Sequence, residues 1–169
     1  SEWLMLDIWR DGKHHQQRYG KGVPQTKLSA MGDSDKRGTR VHFQPDDTIF
    51  TETTTFVYDT LQRRLRELAF LNPGVTIAIS DERTEEGEEF HYEGGIRTFV
   101  EHLNTARTTL HDGVVYCHGA KDGVVVEVAL QWTTSYQENV LSFVNNIKTI
   151  EGGTHVSGLK AALTRTINS

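Results

Sequence analysis

The sequence predicts an α+β protein, and two patterns near its ends carry that prediction. Residues 3–10 predict a strand, with Leu4, Leu6 and Ile8 on one face and Trp3, Met5, Asp7 and Trp9 on the other. Asp11-Gly12 follows, which is a strong signal for a two-residue hairpin turn. Near the other end, apolar residues recur at helical spacing and form one stripe, made of Val156, Leu159, Leu163 and Ile167. Strands at the start and an amphipathic helix at the end therefore define the class.

The elements of the first part follow from the same periodicities. A polar return strand is predicted over residues 13–19, an extended segment over 23–31 and a half-buried strand over 39–43. Asp59 and Gln62 have the spacing of a capping box at the start of a helix, which Asn72-Pro73-Gly74 ends. A strand over residues 75–79 and an acidic loop over residues 81–89 come next.

Gly94-Gly95 predicts a hinge, so we expect two domains, residues 1–94 and residues 95–169. The second domain should open with a helix over residues 96–103. A hairpin around residues 121–123 and a strand buried on both faces over residues 139–145 follow. Thr154 is predicted to be the N-cap of the last helix.

Composition narrows the function classes. The chain has 169 residues, 36% of them hydrophobic, and a net charge of −5, so no global charge attracts a nucleic acid. Cys117 is the only cysteine, which fits a reducing compartment, and its apolar strand predicts a buried thiol. No apolar run approaches the roughly 20 residues of a membrane helix, and no signal peptide is recognisable. We expect a soluble cytoplasmic protein without a membrane partner.

No motif in the chain specifies catalytic chemistry by itself. The adjacent histidines His14 and His15 should point to opposite faces of a strand, so no metal site is predicted there. The two Gly-Gly pairs lack the spacing of a phosphate-binding loop. His155 is expected to bond loop carbonyls near the start of a helix, or alternatively to act in a relay between two functional ends of the protein.

Several strings in one order resemble the B subunits of bacterial DNA gyrase, a family of type IIA topoisomerases. They are RGT with VHFQPD (from Arg37), RLRELAFLNPG (from Arg64), HYEGGI (from His91), QENVLSFVNNI (from Gln137) and EGGTHVSGLKAALTRTIN (from Glu151). The resemblance covers nearly the whole chain. Topoisomerase IV, the alternative, matches less well.

The resemblance implies that residues 1–94 form the C-terminal half of a GHKL-type ATP-binding α/β sandwich. The remainder then looks like the first part of a ribosomal-protein-like transducer domain with a left-handed βαβ crossover, an exception to the usual handedness. In that family, ATP with Mg²⁺ dimerises two B subunits, and the transducer couples hydrolysis to DNA strand passage with the A subunit. The implied role is ATP-dependent DNA supercoiling.

The resemblance also implies particular site residues. Thr39 matches an adenine-recognising threonine, Gly38 the glycine before it, and Val41 an apolar wall of the adenine pocket. Arg10 matches an arginine at the pocket mouth that aminocoumarin antibiotics contact, and Lys160 matches a basic position facing the DNA cavity. Without the resemblance, Thr39 is an ordinary strand residue, Val41 a core residue, and Arg10 and Lys160 are solvated cations.

In the same family, the catalytic glutamate, the magnesium-binding asparagine and the lid precede the position of Ser1, and the switch lysine follows that of Ser169. We therefore expect no catalytic residue and no metal ligand here, and little nucleotide binding by the chain alone. The alternative is a non-catalytic structural or interaction module on the same framework. A weaker alternative is direct DNA binding through Lys148, Lys160 and Arg165.

Overall fold

An antiparallel sheet makes up most of the first of two compact units, Ser1–Phe56 and Val57–Ser169, in a computed structural model that describes residues 1–169. Its strands are β1 (Trp3–Arg10), β2 (Lys13–Gly20), β3 (Val23–Pro24), β4 (Ser29–Asp33) and β5 (Gly38–Gln44). The order is β3-β2-β1-β5, and β4 also pairs with β2. Asp11 and Gly12 have φ angles of 52° and 75°, which confirms the predicted hairpin turn.

The register of this sheet separates two sets of side chains. Thr39 lies opposite Ile8 on β1, whereas Asp7 lies opposite Arg40 on one side and Gln16 on the other. Because directly opposed residues share a face and neighbours along a strand alternate, Thr39 and Asp7 lie on opposite faces.

The second unit contains three helices and three antiparallel hairpins. Its elements are α1 (Tyr58–Leu71), β6 (Thr76–Asp81), β7 (Glu86–His91), α2 (Gly95–Asn104), β8 (Val115–Lys121), β9 (Val124–Leu130), β10 (Phe143–Val144), β11 (Ile147–Lys148) and α3 (Thr154–Ile167). None of the three helices has the length and hydropathy needed to cross a membrane.

The core of the second unit is aromatic and lies where α1 packs against α2, β6 and β7. Phe70 on α1 is fully buried, and its ring stacks on Tyr92 at 3.6 Å and on Phe99 at 4.8 Å between centroids. Gly95 has a φ of +59°, and a β-carbon there would lie 3.0 Å from a side-chain atom of Pro73. Glycine is therefore needed where the chain enters α2 beside this core.

Two helix caps were predicted wrongly. Asp59 lies inside the first turn of α1, whose N-cap is Val57, and Gln62 donates to Glu88 instead of closing a capping box. Thr154 is the first residue of α3, and Gly153 is the N-cap. In both helices the N-cap residue, Val57 or Gly153, has no side chain that can accept a capping hydrogen bond. The preference for polar N-cap residues therefore pointed to a nearby polar residue instead.

Three predictions about strands were also wrong. Of residues 139–145, only Phe143–Val144 form a strand, because Asn145 and Asn146 adopt positive φ angles of 49° and 64° and make a hairpin turn. The expected acidic loop is shorter than predicted, since β7 begins at Glu86 and pairs with β6. Cys117 is exposed, because β8 and β9 form a two-stranded sheet without a covering layer on that side.

The paired strands are all antiparallel, and the left-handed crossover stays a prediction. The compact units divide after Phe56, and the domain boundary at Gly94-Gly95 likewise stays a prediction.

Candidate functional site

One face of the first unit's sheet, here called the open face, carries the candidate residues Thr39, Val41 and Arg10. Thr39 lies opposite Ile8, and Val41 lies opposite Leu6. Arg10 follows Ile8 by two positions on β1, so strand alternation brings it to the same face. The structure thus brings Arg10, from β1, to the same face as Thr39 and Val41, which follow much later in the sequence.

The open face combines an apolar surface with an unused hydroxyl. Val41 is 54% exposed although it occupies the middle of β5, and Phe43 beyond it is 45% exposed. The Thr39 side chain makes no hydrogen bond within the structure and is exposed. A hydroxyl both donates and accepts, so Thr39 is free to bond a ligand that lies flat on Val41.

Arg10 lies at the end of β1, beside the turn. Its Nε is 3.4 Å from the Asp11 carboxylate, and both side chains are largely exposed. Such an exposed pair contributes little to stability, so the guanidinium is available to another anionic or planar group.

Gly38 begins β5 opposite Trp9 and has a φ of +146°. A β-carbon there would meet no atom within 4 Å, so space does not demand glycine. The backbone conformation does, because residues with side chains rarely adopt it. Gly38 therefore sets the path on which β5 enters the sheet and presents Thr39.

The opposite face holds the buried carboxylate of Asp7. Asp7 and its three hydrogen-bond partners, His14, Gln16 and Arg40, are called the Asp7 cluster here. Asp7 is fully buried. Its Oδ1 accepts hydrogen bonds from His14 at 2.8 Å and Gln16 at 2.9 Å, and its Oδ2 accepts two from Arg40 at 3.1 and 2.8 Å. The His14 ring also stacks on Trp9, with centroids 4.9 Å apart. The buried carboxylate is thus satisfied within the sheet.

Hydrogen bonds from Gln16 and His14, with those from Arg40, lower the pKa of Asp7 to about 2, although burial acts in the opposite direction. The carboxylate is therefore ionised at neutral pH and serves as a structural acceptor. The Nε2 atom of His14 is hydrogen-bonded to Asp7. The neighbouring His15 lies opposite Ile8 and therefore on the other face of the sheet.

A groove of about 490 Å³ lies near the ends of β1 and β2, lined by Trp3, Met5, Arg18 and His42 among others. Thr39 does not line it. The open face itself offers an exposed apolar surface beside one hydroxyl, a combination that suits contact with a flat, hydrogen-bonding group. No cluster of three or more metal-ligating side chains occurs in residues 1–169.

Comparisons with known proteins identify the family. A family model described as DNA gyrase B matches residues 95–169. The DNA gyrase B subunit of Halalkalibacterium halodurans is 54% identical over 99% of this chain, and that of Staphylococcus epidermidis is 50% identical over all of it. The chain belongs to the DNA gyrase B family.

Solved structures of gyrase B agree. The 43K ATPase domain of Thermus thermophilus gyrase B, in complex with an aminocoumarin, superposes with a TM-score of 0.87 at 33% identity over 99% of this chain. The structure of the gyrase B subunit from Myxococcus xanthus superposes with a TM-score of 0.86 at 37% identity over 96% of this chain. The α+β class and the likeness to the gyrase B ATPase region are thereby confirmed. The chain spans 26% and 27% of the two curated gyrase B relatives and 46% and 48% of the two solved chains.

The part that matches the gyrase B family model contains Lys160 and His155. Lys160 lies on α3, and its Nζ is 2.9 Å from a carboxylate oxygen of Glu138, with both side chains more than half exposed. His155 Nε2 lies 3.4 Å from the Thr149 hydroxyl, so it contacts a side chain rather than the loop carbonyls that we expected.

Sequence reasoning missed two polar arrangements in this gyrase B chain. The Asp7 cluster had a visible signal, since a carboxylate interrupts the otherwise apolar run from Trp3 to Trp9, but its partners are 7, 9 and 33 residues away. A second arrangement joins Asn146 to α1 across more than 70 residues. Its signal was the Asn145-Asn146 pair, which is a hairpin-turn dipeptide and not a strand end.

Proposed function

We propose that this chain contributes one wall of the ATP site and the coupling region of a DNA gyrase, an enzyme that uses ATP hydrolysis to supercoil DNA. The observation that carries the proposal is the open face. Three residues that the family resemblance assigned to one nucleotide site lie together on it, and all three are exposed. Apart from the surface pair of Arg10 with Asp11, their side chains have no polar partner within the sheet.

In this proposal Thr39 and Val41, presented by Gly38, form the adenine wall. Adenine offers an aromatic face and a polar edge, and the open face offers an apolar surface beside a hydroxyl that no protein group uses. ATP, with Mg²⁺, supplies the phosphoryl group whose hydrolysis drives the reaction. The proposal assigns no catalytic base and no magnesium ligand to residues 1–169.

The open face alone is expected to bind nucleotide weakly. Val41 is half exposed, and a ligand on this face would be covered on one side only. We therefore propose that the complete B subunit is needed for tight ATP binding and for hydrolysis.

Further partners follow from the same proposal. They are a second B subunit, the gyrase A subunit and DNA, in the cytoplasm. Lys160 on α3 is the proposed basic residue of the DNA cavity, and its exposed pair with Glu138 leaves the charge accessible. The Thermus thermophilus relative was solved with an aminocoumarin, and we propose Arg10 as the contact for such inhibitors here.

The test uses Thr39→Val and Thr39→Ser in a complete B subunit that contains this region. Valine keeps the shape of threonine but removes the hydroxyl, whereas serine keeps the hydroxyl. Titration with a non-hydrolysable ATP analogue should show affinity reduced about tenfold or more for valine, because a buried adenine contact is left unpaired. Serine should stay within about threefold of the wild type, as expected when the hydrogen bond is retained.

Equal affinity of Thr39→Val and the wild type would overturn the adenine assignment. Thermal unfolding of the same variants provides the control, since Thr39 is exposed and its side chain has no internal partner. A large stability loss for valine would instead show a structural role for the hydroxyl.

A further inference from the structure

A short hairpin of the second unit contacts α1 at one end and α3 at the other. It consists of β10 and β11, joined by the turn residues Asn145 and Asn146. Both turn residues have positive φ angles, which fits the tight two-residue turn favoured in hairpins. The predicted domain boundary at Gly94-Gly95 falls between α1 and this hairpin in the sequence.

At the turn end, three polar side chains form what we call the Asn146 clasp. Asn146 Nδ2 donates to Asn72 Oδ1 at 2.9 Å, and Arg64 Nη2 donates to the Asn146 carbonyl oxygen at 3.0 Å. Asn72 Nδ2 in turn donates to the Leu68 carbonyl at 2.7 Å, so its amide has one fixed orientation and presents only its oxygen to Asn146. The clasp therefore joins the C-terminal part of α1 to the turn specifically.

At the other end, the hairpin is linked to the first turn of α3. Thr149 N donates to the Ser142 carbonyl at 2.9 Å, and the two hydroxyls lie 2.5 Å apart. The Thr149 hydroxyl also contacts His155 Nε2 at 3.4 Å. A β-carbon at Gly153 would lie 2.9 Å from the His155 ring, so glycine leaves room for this ring position.

α3 depends on such contacts because packing fixes it only weakly. No residue of α3 is buried, and Ile167 at the end of its apolar stripe is 69% exposed. α1, by contrast, is anchored by fully buried Phe70. A shift of α1 would carry the turn with it through the clasp, and the contacts of Thr149 with Ser142 and His155 would pass that shift on to α3.

We propose that Asn146 is a positioning residue that couples α1 to α3 through this hairpin. The inference rests on the proposed gyrase function, in which the nucleotide-dependent part must move the transducer. It deepens that function by naming the contact through which α1 acts on α3.

The test compares Asn146→Gly with Asn145→Gly. Glycine accepts positive φ at both positions, so the turn is retained in each variant. Only Asn146→Gly removes a side-chain amide that bonds Asn72, the C-cap residue of α1. The first readout is amide hydrogen exchange in a complete B subunit that contains this region. Asn146→Gly should raise the exchange rates of the hairpin and of the first turns of α3 about fivefold, the change expected for one lost hydrogen bond. In Asn145→Gly all these exchange rates should stay near the wild-type values, and in both variants so should the exchange rates of the α1 amides.

The second readout is the number of supercoils introduced per ATP hydrolysed by the complete enzyme. Asn146→Gly should keep its ATP hydrolysis rate and lose severalfold in supercoiling, whereas a merely destabilised protein would lose both together. Asn72→Ala should reproduce this effect, and adding it to Asn146→Gly should change little more.

Two results would overturn the inference. One is an Asn146→Gly enzyme that introduces as many supercoils per ATP hydrolysed as the wild type. The other is an Asn145→Gly enzyme that loses as much supercoiling as Asn146→Gly, which would show that the stiffness of the turn, and not the Asn146 amide, is responsible. A wild-type enzyme that neither hydrolyses ATP nor supercoils DNA would instead reject the proposed function. Hydrogen exchange would then still decide whether the clasp links α1 to α3.

Discussion

The two faces of the sheet in the first unit are built for different purposes. On one face, Asp7 is fully buried and all its hydrogen bonds are made by His14, Gln16 and Arg40. On the open face, Val41 is half exposed and the Thr39 hydroxyl has no partner. The same strands, β1 and β5, supply both faces.

This difference indicates which face supports the fold and which is available to a ligand. A closed polar network fixes the register of three strands, because Asp7 is bonded to residues on both neighbours of β1. The open face contributes less to that register, since its exposed side chains bury little area. Substitutions on the first face should thus alter stability, and those on the second should alter binding.

The largest effect on stability is expected for Asp7→Asn. Both carboxylate oxygens accept hydrogen bonds, so the NH₂ group of the new amide would face either the donors of His14 and Gln16 or those of Arg40. Hydrogen exchange should show lower protection throughout β1, β2 and β5 at neutral pH. Unchanged protection would mean that the cluster does not hold the sheet.

The same variant tests a pH dependence. The pKa of Asp7 is lowered from 3.8 to about 2, so its contribution to stability is present above pH 3.8 and is lost as the pH falls toward 2. Wild-type β1 should lose protection in that window, and Asp7→Asn should not show this loss. Asp81, whose pKa the hydrogen bonds of Arg83 also lower to about 2, provides an internal control. The β6–β7 hairpin should respond to acid in both proteins.

Sequence periodicity predicted the structural features that depend on neighbouring residues, and it failed for features that depend on contacts with residues distant in the sequence. The strand over residues 3–10 and the Asp11-Gly12 turn were confirmed, since each depends on neighbouring residues. The Asn145-Asn146 turn was misread, because the apolar run before it resembles a strand whether or not another strand is present to pair with it. Burial of Cys117 failed for a related reason, since no layer covers that part of the β8–β9 hairpin.

The candidate site depended on the family resemblance for its chemistry and on the structure for its geometry. Nothing in the sequence shows that Arg10 and Thr39 share a face; the register of β1 with β5 does. The Asp7 cluster could likewise be predicted only from the strand register, because its four residues come from three strands. Pairing between strands distant in the sequence is the information that single-sequence patterns lack.

A smaller effect on stability is expected for Val41→Ala on the open face. Because Val41 is 54% exposed, unfolding free energy should fall by less than about 1 kcal/mol. In a complete B subunit, affinity for a non-hydrolysable ATP analogue should fall about tenfold, as for lost apolar contact in a binding pocket. Val126→Ala is the matched control, since Val126 is equally exposed on β9, outside the proposed pocket. An equal loss of affinity in both variants would refute a specific role for Val41.

The smallest effect on stability is expected for Arg10→Ala. The Arg10 side chain is 78% exposed and pairs only with exposed Asp11, so stability should change by less than about 0.5 kcal/mol. Aminocoumarin affinity of the complete protein, measured by calorimetry, should nevertheless fall about tenfold or more, because hydrogen bonds from a charged group are lost.

Arg10→Lys separates charge from shape at the same position. Lysine keeps the positive charge but loses the planar fork, so it should recover only part of the inhibitor affinity. Arg18→Ala is the control, since Arg18 lies opposite Met5 and therefore on the face of the Asp7 cluster. If Arg18→Ala weakened the inhibitor as much as Arg10→Ala, the effect would reflect net charge, and the division between a structural face and a ligand-binding face would fail at this position.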